Sequence, residues 1–141
     1  MKFICDGPAG KIWFRIETES EAQQESELMQ HAVAKYFCRE RGKAAQCYVS
    51  PPTIPYIERD IGLNDHIQRE MPVFLTLRDS EGNRLATAML PPGGKHMNGF
   101  HIIIVGRANS DPYPSEGDAI GALARHFSVT LDRGSCYPYA R

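Results

Sequence analysis

The sequence predicts an α+β domain, an antiparallel sheet of about five strands with one long helix and one C-terminal helix packed on it in two layers. Three observations predict it. Runs that alternate apolar and polar residues, or are apolar throughout, read as strands. Between them lies a stretch whose apolar residues recur at helical spacing. The links between neighbouring strands are short, which favours antiparallel pairing because a parallel pair needs a crossover of about a dozen residues. The expected order is β-β-α-α-β-β-β-α in a single globular domain covering residues 1–141.

Two short runs open the chain, Lys2–Cys5 and Lys11–Ile16. Asp6-Gly7-Pro8-Ala9-Gly10 between them is a turn cluster, and in the second run Ile12, Phe14 and Ile16 alternate with Trp13 and Arg15. The pair reads as a hairpin. The period then changes. Met29, Ala32, Val33, Tyr36 and Phe37 fall on one helical face, and Thr18 with Glu21 fits a capping box. Glu19, Glu21, Glu25 and Glu27 near the start, and Lys35, Arg39, Arg41 and Lys43 near the end, complement the helix dipole. Gly42 is a candidate stop, but Ala44, Cys47 and Tyr48 continue the apolar face, so the long helix is expected to reach about residue 48.

Ser50-Pro51-Pro52-Thr53-Ile54-Pro55 reads as an extended connector. Asn64 can cap a short helix, Asp65–Glu70, which Pro72 ends. Val73–Arg78 and Arg84–Leu90 are strands joined by the loop Asp79-Ser80-Glu81-Gly82-Asn83. Phe100–Val105, apolar on both sides except at His101, reads as a central strand. Ser115 is the expected cap of a final helix with Ala119, Ile120, Leu123, Ala124 and Phe127 on its apolar face, and Val129–Leu131 is a candidate edge strand. The element order resembles the layout of small sensory domains of the PAS type: a hairpin, then helices, then three antiparallel strands. The resemblance is one of layout, with no residue motif behind it.

Composition narrows the function classes. Hydrophobic residues make up 42% and charged residues 23%, which excludes a disordered chain, a collagen-like repeat and a membrane bundle. Sixteen Lys+Arg against 17 Asp+Glu argue against a dedicated nucleic-acid binder. The apolar run at the N-terminus is shorter than the ~7–15 residues of a secretion signal. Ile102-Ile103-Ile104-Val105 falls far short of the ~20 of a membrane span. A cytoplasmic protein is expected. Cys5, Cys38, Cys47 and Cys136 form no Cys-x-x-Cys pair, so free thiols are expected.

Four places could carry chemistry. Gly93-Gly94-Lys95-His96 offers backbone amides, a cation and an imidazole for an anion, although its spacing matches no phosphate-loop pattern. Arg107 follows a strand and precedes a helix start, where it could fork onto a carboxylate or phosphate. His31 and Cys38 stand two turns apart, too far for a thiol–imidazole pair, and no motif calls for a metal or other cofactor. Tyr56, Tyr113, Tyr137 and Tyr139 neighbour prolines in loops, as contact aromatics often do. The expectation is a non-catalytic binding or protein-interaction domain, a homodimer, with Lys95, His96, Arg107 and Tyr113 as ligand-binding candidates. The alternative is a small enzyme that acts on an anionic metabolite through Lys95, His96 and Arg107.

Overall fold

The middle of the sheet is apolar on both faces, and helices cover both. The structure, a computed structural model, describes residues 1–49 and 56–139. Strands β1 (Lys2–Asp6) and β2 (Ile12–Arg15) form the N-terminal hairpin. Helices α1 (Glu19–Met29), α2 (Val33–Gln46) and α3 (Tyr56–Glu70) follow. Strands β3 (Val73–Arg78), β4 (Arg84–Leu90) and β5 (Ile103–Val105) complete the sheet, and α4 (Tyr113–Phe127) comes after it. All pairs are antiparallel and the strand order is sequential, β1-β2-β3-β4-β5. This is the expected α+β class, with β3 and β4 at the expected boundaries.

Strand periodicity divides the core. Val73, Leu75 and Leu77 of β3 and Ala86, Ala88 and Leu90 of β4 share one cluster with Trp13 and with Ala119, Ile120 and Leu123 of α4. Phe74 and Met89 point the other way, into a second cluster with Ile16, Ala22, Phe37 and Ile67. Helices α1–α3 therefore cover one face and α4 the other, adding a layer to the two expected. Two polar contacts tie α4 to the hairpin. Trp13 Nε1 donates to the Ala119 carbonyl at 2.8 Å, and Lys11 Nζ meets Glu116 Oε2 at 2.6 Å.

The structure corrects several boundaries. The long helix is two helices. α1 starts at the expected capping box of Thr18 and Glu21 but ends at Gln30, which lies in the left-handed region at φ 55°. The short helix expected at Asp65–Glu70 is the end of α3, which begins at Tyr56. The expected connector Ser50–Pro55 lies outside the described residues. The strand expected over Phe100–Val105 is only Ile103–Val105, and it lies at the sheet edge rather than the centre. No strand forms at Val129–Leu131; instead Tyr137 bridges Ile103 in parallel, with its N–H donating to the Ile102 carbonyl at 2.7 Å. Ser115 sits inside α4. The helix begins at Tyr113, whose N–H donates to Asp111 Oδ1 at 3.0 Å.

The sequential order puts β1 at one edge of the sheet and β5 at the other. All four cysteines are free. Among the described residues, no helix is long and apolar enough to cross a membrane.

Phe37 is fully buried and meets Phe74 edge-on, with ring centroids 5.2 Å apart. It joins α2 to the sheet. Phe37→Ala should cost about 3–5 kcal/mol in chemical denaturation, the range for a buried aromatic truncated to alanine. A loss under about 1 kcal/mol would mean that this contact does not hold the helical layer.

Candidate functional site

The buried face of α1 carries a carboxylate. Ala22, Glu25 and Met29 are its buried residues, at i, i+3 and i+7, and Glu25 is 0% exposed. A charge removed from water must be met by partners or it costs several kcal/mol. Glu25 has two. Arg84 Nε donates to Oε1 at 2.8 Å, and the Thr87 hydroxyl donates to Oε2 at 2.6 Å.

Arg84 and Thr87 are three apart on one strand, and side chains at odd spacing normally face opposite sides of a sheet. A β-bulge removes the conflict. In the β3–β4 register Leu77 faces Ala86 and Arg78 faces Arg84, so Leu85 is an extra residue without a partner. The bulge turns Arg84 to the face of Thr87, and both reach Glu25.

Thr87 also meets His31, whose Nε2 lies 2.8 Å from Thr87 Oγ1. The network fixes the tautomer. A hydroxyl has one proton, and Thr87 gives it to Glu25, so Thr87 Oγ1 accepts from His31 Nε2–H. Nδ1 is then the acceptor, and the Val33 N–H donates to it at 3.4 Å. Burial pushes the His31 imidazole below its ordinary pKa, and the charge of Glu25 offsets this only in part.

The local chain explains why His31 stands there. α1 ends at Gln30, and the Ser26 carbonyl accepts the N–H groups of both Gln30 and His31. The first amides of α2 would be orphans, since its cap position, Ala32, has no side-chain acceptor. Neighbouring side chains serve instead. Ser26 Oγ accepts from Ala34 N–H at 2.7 Å, and His31 Nδ1 accepts from Val33 N–H. His31 thus caps α2 with one nitrogen and holds the sheet with the other.

The break between α1 and α2 opens a cavity of about 270 Å³. His31, Ala32, Val33 and Tyr36 form its helical wall, and Phe74, Thr87, Met89, Ile103 and Val105 its sheet wall. Asn109, Tyr137 and Pro138 close the side next to β5. The lining is mainly apolar, with the hydrogen-bonded pair of His31 and Thr87 among its few polar groups, as small-molecule sites usually are. Its volume lies just under the ~300–1,000 Å³ typical of such sites, which suits a small occupant.

The residues singled out from the sequence do not converge here. Lys95 and His96 are exposed in the loop beyond the β4 end of the β4–β5 hairpin, and Arg107 is exposed just past β5. Because β4 and β5 are antiparallel, those are opposite ends of the hairpin. His96 lines a different cavity, with Pro91, Met97 and Phe100. Arg107 opens a 3₁₀ turn whose last residue, Asn109, reaches the cavity at the helix break.

Tyr113 holds the C-terminal segment. Its hydroxyl donates to the Leu131 carbonyl at 2.7 Å, and its ring meets Tyr139 edge-on with centroids 5.8 Å apart. Burial, with Cys136 beside it, pushes the phenol well above its ordinary pKa. Asp111 pairs with Arg133. Among the described residues, no three His, Cys, Asp or Glu side chains are grouped to hold a metal ion.

Sequence reasoning missed Glu25, Thr87 and the role of His31. The signal for Glu25 was available: its position relative to Ala22 and Met29 puts it on the inward face of α1. No protein-family model, no curated protein and no solved structure matches the chain.

Thr87→Val keeps the shape and removes the shared oxygen. It leaves Glu25 with one donor fewer and the His31 N–H without its acceptor, so it should cost about 1–3 kcal/mol. The exposed Thr130→Val should stay within about 0.5 kcal/mol. Equal effects in denaturation would mean that the Thr87 hydroxyl carries no structural energy.

Proposed function

We propose that this protein is a non-catalytic binding domain, and that its ligand is a small, neutral, largely apolar molecule held at the α1–α2 break. The observation that carries this reading is the cavity itself, apolar around a built hydrogen-bond floor. Thr87 Oγ1 gives its proton to Glu25 and accepts one from His31, so its remaining capacity is for a donor. A flat apolar ring with one N–H or O–H suits that floor. An anionic ligand does not, because the lining has no Lys or Arg to meet its charge. Binding is favoured over proton-transfer catalysis because the basic nitrogen of His31 already accepts a backbone amide.

Indole and phenol are fitting probes. Titrated into the labelled protein at neutral pH, they should shift the amide signals of Val33, Thr87 and Val105 together and saturably. Ala32 is exposed at the cavity wall, so Ala32→Trp should block the space, abolish those shifts and change stability by no more than about 0.5 kcal/mol. Shifts that persist in Ala32→Trp, or that never saturate with either probe, would refute the reading.

A further inference from the structure

The geometry points to His31 as a proton-operated latch on this cavity, closed while the imidazole is neutral and released when it takes a second proton. The inference rests on the cavity being the binding site. Its basis is that the two ring nitrogens are used with opposite polarity. Nε2–H donates to Thr87 and Nδ1 accepts from Val33 N–H. A second proton can go only to Nδ1. There it would face the Val33 N–H, donor against donor, across 3.4 Å.

The surroundings reinforce the conflict. The Val33 amide is the first of α2, so an imidazolium would sit at the positive end of that helix dipole. Glu25 of α1 and the backbone carbonyl of His31 itself favour the charged ring, but burial outweighs both, and Arg84 of β4 already pairs with that carboxylate. From α2 and the C-terminal segment, Tyr36 and Tyr137 line the cavity, and neither adds a full charge to its wall beside His31 in the way that Glu25 or Arg84 does behind it. The residues lining it from β3 and β5 are Phe74, Ile103 and Val105, none of which is titratable.

A protonated ring must therefore turn away from Val33. α2 then loses one cap, and the cavity wall formed by His31, Ala32 and Val33 loses its hold on the sheet. A ligand that needs this wall binds only the neutral form. Its apparent affinity scales with the neutral fraction, so it falls about tenfold for each pH unit below the midpoint of His31. By reciprocity, a bound ligand lowers that midpoint.

Two readouts separate the latch from the reading it rests on. The first needs no ligand. The His31 ring signal and the Val33 and Ala34 amide signals are followed by NMR as pH falls. The expected result is a shared midpoint, below that of an ordinary histidine at about 6.5. A midpoint at or above that value, or amides that do not follow the ring, would overturn the latch.

The second readout is the affinity for indole over the same range in the natural protein and in His31→Gln. The natural protein should lose affinity below the shared midpoint, and His31→Gln, which cannot titrate, should keep whatever affinity it has at neutral pH. An affinity that falls equally in both would overturn the latch. Failure of indole to bind at any pH, with ring and amides still sharing a midpoint, would refute the ligand reading while supporting the proton-dependent hinge.

Discussion

One buried carboxylate organises the side of the sheet that faces α1–α3. Glu25 has no access to solvent, and Arg84 and Thr87 each give it a hydrogen bond. A buried ion pair is weak evidence of net stabilisation, because apolar residues of the same shape often do as well. What it imposes is position. Loss of either partner leaves a charge or a donor stranded in the core, so α1 can lie on the sheet in only one register. The bulge at Leu85 belongs to the same constraint, since without it Arg84 would face α4.

From that fixed point the rest of the site follows. With its proton committed to Glu25, the Thr87 hydroxyl becomes an acceptor and selects the His31 tautomer that donates from Nε2. That tautomer exposes an acceptor at Nδ1, and the acceptor caps α2. The helix break, which could have been a floppy joint, is thereby held to the strand beneath it. The gap it leaves is a cavity rather than collapsed core. The same chain of dependence gives the site its sensitivity, since a single proton on His31 reverses the polarity on which the cap depends.

The sequence was legible where the signal was local. β3 and β4 announced themselves by apolar residues on both faces and a polar loop between them, and Thr18 with Glu21 marked the start of α1. The helix break was not legible. Met29, Val33 and Phe37 keep helical spacing straight across it, and Gln30 is no conventional stop. The left-handed turn is held by Ser26 and by a contact between residues 31 and 87, far apart in the chain. By sequence Glu25 looks like one more of the dipole-matched acids of the first turns, because its partners lie about sixty residues away on β4. β5 looked central because its outer side is not bare. The segment at Tyr137 pairs along it, a long-range contact that composition does not reveal. Lys95 and His96 stand at one end of the β4–β5 hairpin and Arg107 at the other, which the short link and the antiparallel pairing it favours already imply.

Glu25, Thr87 and His31 act as one unit although Glu25 and His31 do not bond each other. A mutant cycle on folding stability tests this most directly, with Glu25→Gln and His31→Gln made singly and together, first with Thr87 present and then in Thr87→Val. Residues in one hydrogen-bond network typically couple by about 0.5–3 kcal/mol, whereas independent sites add within about 0.3–0.5 kcal/mol. Coupling in the first range is expected with Thr87 present, and its disappearance in Thr87→Val. Additive effects with Thr87 present, or coupling that survives its removal, would contradict it.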